Sequence, residues 1–287
     1  MICALRSSFC RFVRTGLLAK VLIFSPVLSL IIILHTCAEH LMMYLLNRPR
    51  FLDNSFIIIN CLKLVVVIPF AAAVFCTVFT GNDFSSRTVN NRIATGIPRF
   101  AVYFADLMVS LFATVLSILI AVFVFVVFAK TVPVKENIEL NRQLAEAAGS
   151  VILICMAFTS FFVVFQFFFS NRLLAVIVSA LIILGLMMSA SAIYSMLEEP
   201  YRYYVKIDEE TDTYEWRINK EYIGGTPRKI LTFVYDVDPY SVMNDLIEGG
   251  LEVAYEEDLS KKNITSGAVI VLSTAAGFTS VKKKEFA

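Results

Sequence analysis

Side chains and motifs on which soluble enzymes depend are scarce in this sequence. The 287 residues include only 2 histidines and 1 tryptophan, and charged residues make up 17% of the chain, against about 25% in an average soluble domain. The phosphate-binding pattern G-x-x-x-x-G-K-[ST] is missing, as are the hydrolase patterns G-x-S-x-G and H-E-x-x-H. Acid–base chemistry would therefore depend on carboxylates or lysines. This composition argues against a soluble enzyme.

Metal sites and nucleic-acid sites are also disfavoured. No pair among the 6 cysteines has zinc spacing, and His35 and His40 are too poorly matched in helical phase to share a face well. No basic patch of the kind that binds nucleic acid is present. We predict no catalytic residue, no cofactor-binding residue and no metal ligand in this chain.

Apolar residues, by contrast, are abundant. They make up 58% of the chain, and the mean hydropathy is +0.74. A helix needs about 20 apolar residues to cross a membrane, and six segments meet or approach that length. They are Leu17–Cys37, Ser55–Phe79, Leu107–Ala129, Ala147–Phe169, Leu173–Met196 and Ile264–Val281. The sixth is the weakest, because it is short and rich in small residues. The pattern predicts an all-α membrane protein with six transmembrane helices in a lipid bilayer.

The distribution of charge predicts the orientation. One set of loops holds 11 lysines and arginines and the opposite short loops hold 5, and the richer set is expected in the cytoplasm. That set comprises the N-terminal tail, residues 81–100, residues 170–172 and the C-terminal tail. Both termini are thus predicted to be cytoplasmic. The segment from Glu198 to Lys262, with 16 acids and 8 bases, is predicted to lie outside.

The resulting division of the chain has three parts. Residues 1–196 hold the first five spans, with a helix at 81–99 on the cytoplasmic side. Residues 197–263 form an extracellular segment, which we expect to fold as a small α/β or helical cap with a short amphipathic helix from Asp245 to Tyr255. Residues 264–287 hold the sixth span and a cytoplasmic tail.

The most informative polar stretch runs from Gly81 to Arg99. Asn82 or Asp83 can begin a helix, and Gly96 followed by Pro98 can end it, which predicts one helix of about three turns. Its apolar side would hold Phe84, Val89 and Ile93, and its other sides Arg87, Asn90, Asn91 and Arg92. Such a helix suits either of two tasks: receiving force from a soluble partner, or binding lipid headgroups through its arginines.

Particular residues of this loop resemble a known family. Gly81, the pair Asp83-Phe84, the run Thr88 to Asn91 and the pattern from Gly96 to Arg99 are similar to the loop after the second helix of ABC type-2 transporter permeases. One position departs from the family, which often has glycine where this chain has Arg87. Further similarity lies in the external segment and at the C-terminus. It covers Glu221–Lys229, Phe233–Asp236, Pro239 and Val281–Phe286.

The resemblance implies a function for the chain. It would be the permease subunit of a bacterial ABC exporter in the plasma membrane, pairing with a second permease subunit as a homodimer or heterodimer. ATP and Mg would bind a separate cytoplasmic ATP-binding subunit, and the substrate would be a peptide antibiotic or a lipid-like compound. The helix would be a coupling helix contacting that subunit. Its implied contact residues are Asp83, Phe84, Arg87, Thr88, Asn91, Arg92 and Arg99. The alternative is a stand-alone integral membrane protein, either an immunity or binding protein or an embedded enzyme.

Three polar residues fall inside predicted spans or at their edges. Lys63 is expected to extend to the membrane surface or to interact with Asn60 rather than with substrate, since an unpaired charge in the membrane is costly. Asp106 is expected to pair with Arg92 or Arg99. Gln166 could line a central surface or bond to another helix.

Overall fold

A computed structural model describes residues 1–45, 55–86, 88–131, 138–169, 171–208, 213–241 and 258–283. The first half of the chain contributes α1 (Ile2–Arg14), α2 (Leu17–Leu45), α3 (Ser55–Cys76), a π-helical turn (Thr77–Gly81), α4 (Asn82–Ser85), α5 (Thr88–Ala94) and α6 (Arg99–Thr131). The second half contributes α7 (Ile138–Phe169), α8 (Arg172–Glu198), β1 (Arg202–Asp208), β2 (Thr213–Ile218), α9 (Gly225–Val237) and α10 (Asp258–Lys283).

Six of these helices are long and apolar enough to cross a membrane. The candidate spans are Leu17–Ala38, Ile58–Phe84, Arg99–Phe128, Leu144–Phe169, Arg172–Glu198 and Ser260–Lys282. This confirms the prediction of a six-span, predominantly α-helical membrane protein. The third and sixth helices begin at Arg99 and Asp258, earlier than the apolar runs that predicted them.

Helix α7 lies at the centre of the bundle. It packs against α3, α6, α8 and α10, and 67% of its span is buried, compared with 22% for the spans of α8 and α10. Gln166 and Thr159 are therefore among the most enclosed polar residues, whereas α8 and α10 present long apolar surfaces outward. The short connection between Phe169 and Arg172 makes α7 and α8 a helical hairpin.

A close helix–helix approach depends on Gly277 of α10. A Cβ atom at this position would lie 2.2 Å from both Cζ and the hydroxyl oxygen of Tyr103 on α6. Tyr103 is fully buried and packs edge-to-face on Phe167, with ring centroids 5.1 Å apart. Only glycine leaves room for this ring, which is how a span rich in small residues packs into the bundle.

The segment between the fifth and sixth spans contains the one pair of strands in the described residues. Strands β1 and β2 pair antiparallel, with Arg202 opposite Ile218 and Tyr204 opposite Trp216. Helix α9 follows, beginning at Gly225. Arg228 fastens it to the end of α8 by donating to the carbonyl oxygen of Leu197 at 2.7 Å. The described part of the segment is thus a hairpin and a helix, which agrees with the α/β alternative expected for it. The predicted helix from Asp245 to Tyr255 lies outside the described residues.

The polar loop between the second and third spans differs from the single helix that was predicted. Helix α3 continues through the π-helical turn into α4, and Gly81 has ordinary helical dihedral angles. Asn82 and Asp83 therefore lie inside a continuing helix and do not begin a new one. The loop's own helix is the seven-residue α5.

Candidate functional site: a buried charge cluster beneath α5

Helix α5 ends where the sequence indicated. Gly96 has a φ of +88°, and two backbone bonds close the turn, from Gly96 N to Ile93 O at 3.0 Å and from Ile97 N to Arg92 O at 3.2 Å. This is a Schellman motif, in which glycine takes the left-handed conformation that other residues disfavour. Pro98 and then α6 follow directly, so α5 is held closely against the start of the third span.

Four charged side chains from four helices meet beneath α5. We call Arg11 of α1, Asp83 of α4, Arg92 of α5 and Asp106 of α6 the charge cluster. Oδ1 of Asp106 lies 3.2 Å from Arg11 Nη2 and 3.5 Å from Arg92 Nη1. Asp83 forms an ion pair with Arg11 and lies 3.9 Å from Arg92 Nη1. Two cations and two anions thus form one neutral group.

Hydroxyl groups of α1 complete the polar contacts. Ser8 Oγ donates to Asp106 Oδ1 at 2.8 Å, and Arg92 Nη2 donates to Ser7 Oγ at 3.0 Å. The guanidinium carbon of Arg11 also lies 4.1 Å from the ring centre of Phe79 in the π-helical turn, within range of a cation–π contact. Helix α1 is therefore attached both to the π-helical turn and α4, which precede α5, and to α6, which follows it.

Burial decides the energetics of the charge cluster. Asp106 is fully buried, and Asp83 and Arg92 are nearly so. Burial lowers the pKa of Arg11 to about 10, although the nearby Asp106 carboxylate partly compensates. Because an unpaired charge in such a site costs several kcal/mol, the four groups hold one another in place. The predicted pairing of Asp106 with Arg92 is confirmed.

Five of the seven residues predicted to contact a partner fall into two groups. Asp83 and Arg92 are buried in the charge cluster, so the prediction that Arg92 faces away from the apolar side is wrong: two carboxylates draw it inward. Asn91 and Arg99 are exposed and Thr88 is half-buried, with its hydroxyl 2.7 Å from Ser86 Oγ.

The remaining two predicted contact residues are Phe84 and Arg87. Phe84 packs edge-to-face on Phe167 of α7, with ring centroids 5.1 Å apart, so it faces into the bundle. Arg87 lies outside the described residues.

A second connection joins the same loop to the hairpin of α7 and α8. Arg172 Nη1 donates to Asn82 Oδ1. A Cβ atom on Gly81 would lie 2.7 Å from Arg172 Cγ, so glycine permits this close approach. Gln166 Nε2 donates to Thr77 Oγ1 at 2.8 Å, which confirms that Gln166 bonds to another helix.

The basic loops gather at one end of the bundle. Contacts join α1 to α4, α4 to the start of α8, and the end of α10 to the start of α6, where the rings of Phe100 and Phe278 are 6.4 Å apart. Nine of the 11 lysines and arginines counted for these segments lie in the described residues. The structure thus brings together segments that the charge count grouped.

Lys63 forms part of a separate polar group near the other end. Its Nζ donates to Thr36 Oγ1 at 3.0 Å, and that hydroxyl donates to Asn60 Oδ1 at 2.8 Å. Thr36 thus links Lys63 to Asn60. No group of three or more His, Cys, Asp or Glu side chains in the described ranges could hold a metal ion.

The sequence interpretation missed α1 and its serines. Ala4, Ser8 and Phe12 are buried at four-residue intervals, a spacing that places them on one helical face. That periodicity was visible in the N-terminal tail and predicts an amphipathic helix. The partners of Ser8 and Arg11 were not visible, because Asp106 lies 98 and 95 residues away.

Comparison of the chain with protein-family models, with curated proteins and with solved structures finds no match in any of the three.

Proposed function

We propose that this chain is the permease subunit of an ATP-driven ABC exporter in the bacterial plasma membrane, with both termini in the cytoplasm. The observation that carries the proposal is the way in which α5 is attached to the bundle. This short helix is exposed on one side at the basic end of the bundle and is fixed on its other side to the charge cluster. The sequence resemblance in the same loop supports the same reading.

This attachment of α5 suits the transmission of force. Val89 and Arg92 form the buried face of α5, while Asn91 and Ala94 are exposed. Buried ion pairs resist separation, because parting them leaves charges unpaired in a poorly solvated site. A displacement of α5 would thus move α1 and the start of α6 with it. Asp83 and Arg92 hold the helix, and Asn91, with the neighbouring Thr88 and Arg99, contacts the ATP-binding subunit.

Other parts of the transporter bind ATP, pair with a second subunit and release the substrate. ATP and Mg bind the separate subunit, whose binding and hydrolysis steps shift two permease subunits between alternative arrangements. The long apolar surfaces of α8 and α10 are available to lipid or to a second permease subunit. The β1–β2 hairpin and α9 lie on the outer side, near the exit for an exported peptide antibiotic or lipid-like compound.

Co-purification tests this proposal. The chain is expressed with a candidate ATP-binding protein encoded by a neighbouring reading frame, and the complex is isolated from detergent. Asn91→Glu and Ala94→Trp should each reduce recovery of the ATP-binding protein at least tenfold, because they alter only the exposed face of α5. Trp216→Ala is the matched control at the opposite end, where the exposed β2 side chain should have no effect.

Replacement of residues 88–96 by a Gly/Ser linker gives the decisive result. Loss of the complex with retention of the six-span fold supports the coupling role. Stable complex formation and transport without α5 would refute it. A chain with no neighbouring ATP-binding protein would favour the stand-alone alternative, an immunity or binding protein or an embedded enzyme.

A further inference from the structure

A groove opens on the side of the bundle formed by α2, α3 and α6. Its volume is about 460 Å³. Small and apolar side chains form most of its walls, among them Val21, Ala71, Ala72 and Ala113. The groove is separate from the charge cluster, and its walls lie within the first three candidate spans.

The polar atoms along the groove are mostly satisfied by the helices themselves. Thr114 Oγ1 donates to Ser110 O at 3.1 Å, and Ser117 Oγ donates to Ala113 O at 2.9 Å. Of the side chains that line the groove, Lys20 alone is charged, and it is exposed. The groove is therefore an apolar slot with one cation.

The position of Lys20 shows which end of the groove lies at the basic end of the bundle. Leu17 and Val21, on either side of Lys20, share an apolar cluster with Phe79 at the end of the second span. Lys20 thus lies at the basic end of the bundle. From there the groove extends from Val78, in the π-helical turn, along α3 to Val67, a distance of about 16 Å at 1.5 Å per residue.

The length of the groove suits a lipid chain. A length of about 16 Å is close to half of the roughly 30 Å hydrocarbon core, which is the depth of one lipid leaflet. An extended acyl chain in the groove would thus reach from the Lys20 end toward the middle of the bilayer.

We infer that this groove is a binding site for an anionic phospholipid of the leaflet at the basic end. One acyl chain lies between α2, α3 and α6, and the phosphate of the headgroup contacts the Lys20 ammonium group. The apolar walls favour the acyl chain because close contact between the two adds dispersion attraction. The ammonium group favours a net negative headgroup over a zwitterionic one. This site does not depend on the proposed export function.

Photolabelling in nanodiscs tests the site. The probes are phosphatidylglycerol and phosphatidylcholine, each carrying a diazirine in one acyl chain, and labelled residues are mapped by mass spectrometry. Phosphatidylglycerol should label Phe24 and Val74 more strongly than phosphatidylcholine does. One lysine near an anionic lipid contributes about 1 kcal/mol, so Lys20→Gln should lower this preference about fivefold.

Two comparisons make the test specific. Arg14→Gln removes another exposed base from the same end but outside the groove, and should leave the preference nearly unchanged. Val74→Phe should fill the groove and abolish labelling by both lipids there, and because Val74 is 54% exposed this change spares the core. Ala71→Leu, on a half-buried position, checks the same point with a smaller group.

Four results would overturn the inference. Equal labelling of the wild-type groove by the two lipids would show that the site does not prefer an anionic headgroup. An equal effect of Arg14→Gln and Lys20→Gln would show only general attraction to a charged surface. Labelling that persists after both groove-filling changes would place the lipid elsewhere, and absent labelling in a cross-linkable dimer would assign the groove to a protein contact.

Discussion

Removal of one carboxylate from the charge cluster should destabilise the protein far more than removal of a shorter, exposed ion pair. The change is Asp106→Asn, which keeps the shape of the side chain and an oxygen that can still accept from Ser8. It leaves Arg11 and Arg92 to share Asp83. Loss of one partner from a buried ion pair typically costs about 3–5 kcal/mol. Because the Arg11 side chain is 18% exposed, we expect the lower end of that range, about 3 kcal/mol.

The matched control is the pair of Lys261 and Asp236. Their atoms are 2.8 Å apart, closer than either arginine is to Asp106, but the Lys261 side chain is 51% exposed. Exposed ion pairs contribute about 0.2–1 kcal/mol. Lys261→Gln should therefore cost less than 1 kcal/mol. The exposed pair has the shorter distance and the charge cluster has the greater burial. A larger cost for Asp106→Asn would therefore show that burial determines the free energy of the ion pair.

A double variant tests whether the cluster acts as a unit. Arg92→Gln added to Asp106→Asn restores one cation to one anion, so the two costs should fall short of additivity by about 1–3 kcal/mol. The assay is reversible unfolding in mixed detergent micelles followed by circular dichroism. If Asp106→Asn costs no more than Lys261→Gln, or if the double variant is additive, the four side chains do not hold one another as argued.

Three other changes have defined outcomes. Gly277→Ala should cost about 1–3 kcal/mol by driving a methyl group into Tyr103, whereas Gly267→Ala, with nothing within 4 Å of its added Cβ, should be neutral or stabilising in the same unfolding assay. Gln166→Leu should cost about 0.6 kcal/mol, typical of a hydrogen bond between membrane helices; a loss above 2 kcal/mol would contradict this. Burial raises the pKa of the Asp238 carboxyl above 3.8, so its contribution to stability is full below that pH and is lost as the pH rises through the folded-state value. Asp238→Asn should remove this slope from melting temperatures measured between pH 3.8 and 7, and an unchanged slope would assign it to another group.

Some features could be predicted because their physical causes are local in the chain. Hydropathy adds along consecutive residues, so the six spans were visible as apolar runs, including the short sixth one. Gly96 before Pro98 indicated the end of α5 because a left-handed residue is needed wherever that helix stops. The hairpin of α7 and α8 also has a local cause, because two long apolar runs are separated by only three residues.

Other features depend on partners that are far apart in the sequence. Arg92 looked like a surface residue of a polar loop, and only the meeting of Asp83 with Asp106 makes its burial favourable. The start of α6 at Arg99 has the same origin: paired in the charge cluster, Asp106 can lie inside a helix that hydropathy alone would begin after it.

The sequence by itself thus determined the class of the protein, the number of its spans and the grouping of its basic loops. Local hydropathy, capping and charge counts are sufficient for these properties. The tertiary structure alone decided which charges are buried, that α1 is attached to the third span through Asp106, and that Gly277 admits Tyr103. Each depends on distances and burial between residues widely separated in the chain, and the free energy of a charge or a close contact is set by those surroundings.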